Sequence, residues 1–440
     1  MSKRVVCKFG GSSVADTEQF KKIKNIINSD SKRKIVVVSA PGKRNSKETK
    51  LTDLFYSTYD LATKCVDISG PWSLICERYL EITKELGLKT EINGDLLKLE
   101  KQLRETPEEV TSDYLVSRGE FLCARIMAEY LEAEFVDSYP LIKFDSRYRV
   151  LDQSYRDIRE SLSDDSKIYV VPGFYGSDTK GNLKTFTRGG SDITGAILAK
   201  ACDAEVYENW TDVSGLLMAD PRIVDNARPM AYVSYREIRE LSYSGASVLH
   251  DEAIAPCRDK DIKINIRNTN FPEDSGTMIG PEPEGAKQVI TGIAGRTAFS
   301  MIHIEKSMMN KERGFGRKVL GILENHNLSY EHSPTGIDSM SIVLDSKSFA
   351  DVEDDVLEDI RLEMNPDSIK VIDNLALIAT VGHGMAHKVG VAAKLFGALA
   401  EEKINVRVID QGSSELNIII GIDENDYEKS IKAIYKAFVD

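Results

Sequence analysis

Apolar residues in the first 283 positions fall in short runs that alternate with longer amphipathic stretches. Buried strands are predicted at 5–9, 35–40 and 167–174, and two further strands at 203–207 and 262–266. The amphipathic stretches predict helices at 17–27, 96–104, 121–132 and 194–201. Strands that alternate with helices indicate an α/β fold with a mostly parallel sheet covered on both faces. Ligands of such sheets bind beyond the carboxyl ends of the strands.

A stretch rich in glycine and proline at 276–285 separates this region from a C-terminal region with an internal repeat. Two short strands and one helix of the first copy recur at an offset of 76 residues (394 − 318). The matching pairs are Lys318–Leu323 with Lys394–Leu399, Ser341–Leu344 with Asn417–Ile420, and Met301-Ile302 with Leu377-Ile378. The constant offset indicates a duplicated unit, each copy a small ferredoxin-like α+β domain.

The second copy ends in a helix at 425–439 and has no fourth strand after it, whereas the first copy has 368–372 in that role. An unassigned strand at 288–294 precedes the first copy. We therefore predict that this strand completes the sheet of the second copy, so that one unit is inserted in the other. The resulting division is an α/β domain at 1–283, a linker with this strand at 284–297, and two repeat domains at 298–374 and 375–440.

Length and composition exclude several classes of protein. The 440 residues suffice for two or three domains, and the net charge of −13 argues against general binding to nucleic acid or anionic membranes. No apolar run reaches the ~18 residues of a membrane-spanning helix, and the N-terminus shows no secretory signal. The six cysteines are scattered, which favours free thiols and a cytoplasmic location. His383 and His387 lack a third ligand, so no metal site is expected.

Residues 8–13 carry the first candidate chemistry. Lys8 lies in an apolar strand, and Gly10, Gly11, Ser12 and Ser13 follow it before the next helix. Glycines let backbone N–H groups approach an anion, a helix N-terminus adds partial positive charge, and the lysine supplies a point charge for phosphate. The pattern is not a standard P-loop. Taken alone, it is equally compatible with a structural glycine turn.

A second glycine turn, at 187–192, also follows a strand and precedes a helix. Other polar segments lie at 117–120, where a helix is expected to begin, and at 209–215, 219–222 and 244–250. Each segment alone is compatible with a helix cap. Two glycine turns in one α/β domain, each with a cation, favour phosphoryl transfer between two anionic substrates.

The order and spacing of five motifs resemble those of the aspartokinases, which belong to the amino-acid kinase superfamily. The motifs are Lys8–Ser13, Ser117–Glu120, Arg188–Asp192, Trp210–Val213 and Asp220–Arg222. The C-terminal repeats look like the ACT regulatory domains of that family. The resemblance covers essentially the whole chain, and with no homoserine dehydrogenase extension the chain looks monofunctional.

The resemblance implies transfer of a phosphoryl group from ATP, as its Mg²⁺ complex, to the β-carboxylate of L-aspartate. This reaction gives 4-phospho-L-aspartate, at the start of lysine, threonine and methionine synthesis. The acceptor carboxylate is already ionised at neutral pH and needs no general base. Catalysis must then come from positioning two anions and neutralising their charge.

The resemblance also implies three groups of site residues. Lys8 and Asp192 form a catalytic pair, in which Lys8 contacts the transferred phosphoryl group and Asp192 orients Lys8. The nucleotide is expected to contact Lys8, Phe9, Gly10, Gly11, Ser12, Thr211, Asp212 and Arg222. Aspartate is expected to contact Ser39, Thr52, Glu120, Arg188, Gly189, Gly190 and Ser191, with Glu120 on its α-ammonium group.

Three positions depart from the pattern of the family. Ser247 stands where many members have a lysine associated with the nucleotide phosphates, Leu217 where a tyrosine is frequent, and Asp251 where proline is frequent. Either another cation must then serve the phosphates, or the phosphates must be held differently. The sequence offers three candidates for such a cation, namely Lys43, Lys50 and Arg258.

The ACT-like units imply feedback control and a homodimer or homotetramer. The turn Arg313-Gly314-Phe315-Gly316 would present backbone N–H groups to the carboxylate of an amino-acid effector, and Glu331 would meet its ammonium group. Lysine is the first expected effector and threonine the second. A purely structural dimerisation module remains an alternative.

Two other functions stay open at this point. Acetylglutamate and glutamate kinases are related enzymes, but they do not share the run Trp210–Val213 together with two ACT-like units. A catalytically inactive amino-acid sensor belongs to another class. The departure at Ser247 favours the sensor slightly, whereas Lys8, Glu120, Arg188 and Asp192 argue against it.

Overall fold

The computed structural model describes residues 4–186, 189–246, 251–282 and 288–439. Contacts within the chain define two compact units. The first comprises Met1–Leu216, Ala231–Tyr235 and Val248–Glu282, and the second comprises Leu217–Met230, Arg236–Ser247 and Pro283–Asp440. The chain therefore passes between the units several times.

Helices and strands are numbered along the chain over the described residues. The helices are α1 Thr17–Asn28, α2 Leu51–Thr63, α3 Ser69–Glu85, α4 Ile92–Glu105, α5 Ser112–Tyr130, α6 Asp152–Ser161, α7 Gly190–Ala201, α8 Tyr235–Tyr243, α9 Asp251–Arg258, α10 Phe315–Asn325, α11 Ser346–Ala350, α12 Glu353–Met364, α13 Val391–Glu401 and α14 Tyr427–Val439. The strands are β1 Val5–Phe9, β2 Arg33–Val38, β3 Glu134–Phe135, β4 Lys143–Phe144, β5 Tyr169–Pro172, β6 Tyr175–Asp178, β7 Leu183–Thr185, β8 Val206–Thr211, β9 Tyr232–Ser234, β10 Lys263–Asn268, β11 Thr277–Gly280, β12 Gly292–Glu305, β13 Tyr330–His332, β14 Ser339–Asp345, β15 Ser368–Val381, β16 Val406–Asp410 and β17 Asn417–Asp423.

The first unit is built on an eight-stranded sheet in the order β3-β5-β2-β1-β8-β10-β11-β9. Its central strands are parallel, and β10 with β11 is the antiparallel pair. All five residues of β1 are buried, as expected for a strand covered on both faces. A core cluster joins β1 and β2 to α1–α5. The predicted α/β fold with a mostly parallel sheet is confirmed.

Several element boundaries differ from the prediction. The helix expected to begin at 117–120 begins at Ser112, because the Thr111 side chain accepts a hydrogen bond from Tyr114 N and caps it there. The strand predicted at 203–207 continues as β8 through residues 209–211 of the polar segment, because these residues pair with β1 and β10. The glycine- and proline-rich stretch at 276–285 contains the strand β11, which pairs with β10.

The second unit is built on a six-stranded sheet in the order β13-β14-β12-β15-β17-β16. Residues 299–305 of β12 pair with β14 and with 368–372 of β15, which gives the first repeat four strands. Residues 292–296 pair with 377–381 of β15, which in turn pairs with β17. This strand therefore completes the second repeat, and the predicted insertion of one repeat in the other is confirmed. It begins at Gly292, four residues later than expected.

The two long strands pass from one repeat to the other at irregular positions. The register of β12 against β15 shifts between Arg296 and Phe299, and between them Ala298 has a φ of 65°. On β15, Asn374 has a φ of 56° at the corresponding crossing. Left-handed residues at these points break the regular pairing, so that each half of the strand joins its own repeat.

Among the described residues, no helix has the length and apolar character needed to span a membrane. The six cysteines are all free thiols.

Candidate active site

A cavity of about 620 Å³ lies at the carboxyl ends of β1 and β2 in the first unit. This is the edge at which parallel sheets bind their ligands. Most of the residues that line it come from the loops after both strands and from the starts of α2 and α7, and the others are Lys8 on β1, Glu120 on α5, and Phe174 and Asp212 after β5 and β8. Together the lining residues are Lys8, Gly11, Ser12, Ser39, Ala40, Pro41, Gly42, Lys43, Lys50, Leu51, Thr52, Glu120, Phe174, Gly189, Gly190, Ser191, Asp192 and Asp212.

Lys8 forms an ion pair at the floor of the cavity. Its Nζ lies 2.5 Å from Oδ1 of Asp192, and the side-chain amide of Asn209 donates to the same oxygen at 2.9 Å. Lys8 and Asn209 are neighbours in the register of β1 and β8, which explains why both reach Asp192. Lys8 is only 7% exposed, and a buried ammonium requires such a partner. The ion pair therefore positions the Lys8 ammonium group beside the glycine turn.

The glycine turn after β1 is fixed by the neighbouring strand. The backbone N–H of Gly10 donates to the carbonyl of Trp210 at 3.0 Å, and a short 3₁₀ turn follows at Gly11–Val14. The Ser13 hydroxyl is buried and lies 2.7 Å from the hydroxyl of Thr269. These contacts set the direction of the turn, with Gly11 and Ser12 left to line the cavity.

Glu120 is a buried carboxylate that lines the same cavity. It is 6% exposed, and its Oε2 has no hydrogen-bond partner among the described residues. Burial raises the pKa of Glu120 to about 7, although a backbone hydrogen bond at Ala40 favours the ionised form. A buried carboxylate with one unpartnered oxygen beside a cavity suits a ligand cation, because an ammonium group would supply the missing partner.

Gly119 lets α5 come close enough to place Glu120 there. A Cβ at Gly119 would lie 2.9 Å from the Cβ of Ala40, on the loop after β2. A larger residue at 119 would push the helix away from this loop. Glycine in the interior of α5 lowers the helix propensity, but it allows close packing beside the cavity.

The loop at 39–50 joins the glycine turn to the start of α2. The Gly42 N–H donates to the Gly11 carbonyl at 2.8 Å, and a Cβ at Gly42 would lie 2.6 Å from the Gly11 backbone. Arg78 donates to the Ala15 carbonyl at 2.8 Å and lies 2.5 Å from Glu48. Burial alone raises the pKa of Glu48, but the hydrogen bonds from Arg44 and Arg78 outweigh it and lower the pKa to about 2. The loop is therefore held by charges that persist at any moderate pH.

The structure brings most of the predicted site residues to this one cavity. Three of the predicted residues that do not line the cavity lie close to it. Phe9 is in the core, with its ring stacked on that of Trp210 at a centroid distance of 6.0 Å. Gly10 and Thr211 lie beside the glycine turn, Gly10 directly after β1 and Thr211 at the end of β8. Arg222 belongs to the second compact unit and pairs with Asp220 at 2.6 Å. Arg188, like Ser247, lies outside the described residues. Of the three replacement cations, Lys43 and Lys50 line the cavity, and Arg258 does not.

Asn209 begins the polar segment 209–215 but is not among the predicted site residues. Its contact with Asp192 depends on the register of two strands nearly 200 residues apart, which no local pattern records. Behind it, Glu208 accepts hydrogen bonds from Arg33 at 2.8 and 3.0 Å and from the Trp210 indole at 3.0 Å. This buried network lies on the opposite face of the sheet and holds β8 in place.

The expected effector residues lie in the second unit. Arg313 and Gly314 are exposed before α10, which begins at Phe315 and continues through Gly316. Glu331 lines a separate cavity of about 290 Å³ and pairs with Arg296 at 3.1 Å. Among the described residues that line that cavity, none belongs to the turn 313–316.

No group of three or more His, Cys, Asp and Glu side chains suited to a metal ion occurs among the described residues.

Comparison with known proteins defines the class of the molecule. The amino acid kinase family matches residues 3–268, and the ACT domain matches residues 378–438. The chain thus belongs to the amino acid kinase family and carries C-terminal ACT domains. Within that family it belongs to the aspartokinases, and it is a phosphotransferase of that kind.

The similarity extends over the full length of three relatives. Aspartokinase 3 of Bacillus subtilis is 38% identical over 447 residues, which cover 98% of each chain. The crystal structure of Clostridium acetobutylicum aspartate kinase is 49% identical, with a TM-score of 0.93 over 99% of this chain and 100% of that one. Escherichia coli aspartokinase III, solved with aspartate and ADP, is 26% identical, with a TM-score of 0.76 over 100% of both chains. The same enzyme solved with lysine and aspartate gives a TM-score of 0.77.

Proposed function

We propose that the chain transfers the γ-phosphoryl group of MgATP to the β-carboxylate of L-aspartate, giving 4-phospho-L-aspartate and ADP. The observation that carries the proposal is one cavity with the Lys8–Asp192 pair beside a glycine turn and the buried carboxylate of Glu120, whose Oε2 has no partner among the described residues. The first arrangement suits a phosphate donor, and the second suits an acceptor with an ammonium group. The E. coli relative solved with aspartate and ADP supports the same two ligands.

On the donor side, backbone N–H groups at Gly11 and Ser12 and the ammonium group of Lys8 bind the nucleotide phosphates. Asp192 and Asn209 hold the Lys8 ammonium in place, so that little reorganisation is needed when charge moves onto the phosphoryl oxygens. Asp212 offers a carboxylate for the Mg²⁺ that accompanies ATP. Phe9, Gly10, Thr211 and Arg222 remain proposed nucleotide residues on the strength of the motif alone.

On the acceptor side, Glu120 binds the α-ammonium group of aspartate, and Ser39, Thr52 and the turn 189–191 surround the rest of the molecule. Arg188 remains the proposed partner of a substrate carboxylate. The β-carboxylate oxygen attacks the γ-phosphorus, the bond to the β,γ-bridging oxygen breaks, and ADP leaves with the electron pair. No proton has to be removed, because the nucleophile is already an anion.

A hydroxamate assay with aspartate, glutamate and N-acetylglutamate tests this proposal, because acyl phosphates react with hydroxylamine. We expect product with aspartate alone. Product with one of the other acceptors instead would assign the chain to a different amino acid kinase reaction. No product with any acceptor, despite ATP binding, would favour the inactive sensor.

We further propose that this reaction begins the synthesis of lysine, threonine and methionine in the cytoplasm, with feedback through the ACT repeats. Lysine is the first proposed effector, and the E. coli relative solved with lysine and aspartate supports this choice. The N–H groups at 313–316 would bind the effector carboxylate, and Glu331 its ammonium group. An effector that binds one arrangement of the repeats better than another would shift the activity of the enzyme.

Isothermal titration of the full chain with lysine, and separately with threonine, tests the regulatory proposal. We expect heat with lysine and inhibition of the kinase over the same concentration range. No heat with either amino acid would favour repeats that serve only to join the proposed homodimer or homotetramer.

A further inference from the structure

The loop between β2 and α2 is unusually long for a βα connection. It comprises the twelve residues 39–50, whereas such loops commonly have about 2–6 residues. Long ordered loops in compact domains are frequently functional. Seven of the residues that line the cavity lie in this loop or directly after it: Ser39, Ala40, Pro41, Gly42, Lys43, Lys50 and Leu51.

The loop is held against the donor side of the cavity. Its Gly42 packs on the backbone of Gly11 and donates to the Gly11 carbonyl. Further along, Arg44 pairs with Glu48 and with Glu81, each at 2.7 Å, and Arg78 joins Glu48 to the Ala15 carbonyl. These ion pairs connect the loop to α3 and to the residues after the glycine turn. Both chain neighbours of Lys43, Gly42 and Arg44, are therefore held in place.

The cavity needs further cations to balance the negative charge of its carboxylates and of the proposed substrates. Lys8 is already paired with Asp192, and Glu120 and Asp212 add two more carboxylates. A nucleotide triphosphate and an acceptor carboxylate bring several additional negative charges. Lys43 and Lys50 are the other cations among the described lining residues, and neither forms an ion pair with any residue that the structure describes.

We propose that Lys43 is a phosphate-binding residue of the active site, which contacts the β- and γ-phosphates of ATP and neutralises charge on the transferred group. Lys43 is favoured over Lys50 because its neighbour Gly42 is hydrogen-bonded to Gly11, in the glycine turn after β1 that is proposed to bind ATP. Lys50 instead lies two residues before Thr52, on the proposed acceptor side. The inference rests on the proposed function for the identity of the donor.

Four variants test the proposal: Lys43→Ala, Lys43→Arg, Lys50→Ala and the matched control Lys47→Ala. Lys47 is an exposed lysine of the same loop that does not line the cavity. Binding of a non-hydrolysable MgATP analogue is measured by calorimetry, and kcat and KM are measured for ATP and for aspartate. Loss of one charge-assisted contact is expected to lower affinity about 10- to 100-fold.

We expect Lys43→Ala to weaken analogue binding and kcat/KM for ATP at least ~10-fold, with Lys43→Arg recovering most of the loss. Lys47→Ala should stay within about twofold of the wild type, because it lies away from the phosphates. The proposal would be overturned if analogue binding and kcat/KM of Lys43→Ala stayed within about twofold of the wild type. It would also be overturned if the loss appeared in Lys50→Ala instead. Analogue binding needs no acceptor, so it decides the role of Lys43 even if aspartate proves not to be the substrate.

Discussion

Lys8 illustrates how a single side chain acquires a defined role from its surroundings. A lysine in a strand would ordinarily be turned to solvent, yet here its ammonium group is buried and paired with Asp192. Burial strengthens its interaction with an incoming phosphate, because little water competes for the charge. The partner also orients the ammonium group before substrate arrives.

Replacing Lys8 by alanine should lower kcat at least ~100-fold, because it removes charge stabilisation where negative charge is transferred. Steady-state assays with both substrates saturating measure this effect. Lys32→Ala is a suitable control, since Lys32 is an exposed lysine of the same unit paired with Glu205. A Lys8 variant with kcat near that of the wild type would contradict the proposed role.

Glu120 should give the reaction a pH dependence. Burial raises its pKa to about 7, so the carboxyl is neutral in the free enzyme below that pH and cannot pair with an ammonium group. We expect kcat/KM for aspartate to fall about tenfold for each pH unit below ~7, and Glu120→Gln to lose this dependence together with tight aspartate binding. KM for ATP should change little in this variant.

The same pKa affects stability in a definite direction. Because the folded state raises the pKa of Glu120, protonation favours folding, and this contribution is lost as the pH rises through about 7. Glu120→Gln should therefore unfold at a higher temperature than the wild type at pH 8, with a smaller difference at pH 5. The reverse order would show that Glu120 has a partner that compensates its charge.

At the scale of elements, the site depends on close approaches between backbone segments. The loop 39–50 reaches the glycine turn because Gly42 has no side chain, and α5 reaches the same loop because of Gly119. Gly42 looks like an ordinary loop residue in the sequence, and Gly119 stands out only as part of the motif Ser117–Glu120. Their importance arises from packing between segments that are distant along the chain.

Gly42→Ala should disturb the donor turn, because a Cβ there would lie 2.6 Å from the Gly11 backbone. We expect KM for ATP to rise several-fold and the melting temperature to fall. Gly70→Ala in α3 is the matched control, since a Cβ there meets nothing within 4 Å. Equal kinetic constants for the two variants would show that the turn tolerates movement of the loop.

At the scale of the whole molecule, the insertion of one repeat in the other determines which segments fold alone. Residues 298–374 contain all four strands of the first repeat, whereas 375–440 lack the strand 292–296 of the second. We expect the fragment 298–374 to melt cooperatively and 375–440 not to, because its β15 would leave an unpaired edge. Fusing 290–297 to the C-terminus of 375–440 should restore a cooperative transition by circular dichroism. Cooperative melting of 375–440 alone would contradict this.

Much of the molecule was predictable because it depends on local periodicity. The parallel sheet, the two repeats and their insertion follow from apolar patterns and a constant offset, and they are confirmed. The start of α5 was predicted five residues late, since Thr111 caps the helix while the segment after it has only a weak pattern. The extension of β8 through Trp210 was missed because pairing with β1 and β10 outweighs the polar character of its end.

The sequence by itself determined the kind of fold, the family, and the glycine turns with their lysine and acidic residues, because these depend on short motifs with a fixed chemical meaning. The tertiary structure decided what those residues face. It pairs Lys8 with Asp192, which also accepts a hydrogen bond from Asn209 on the neighbouring strand. It buries Glu120 with one oxygen unpartnered among the described residues, and it holds a long loop with Lys43 at the cavity. Such contacts join segments far apart along the chain, and their free energy depends on burial, which only the folded arrangement defines.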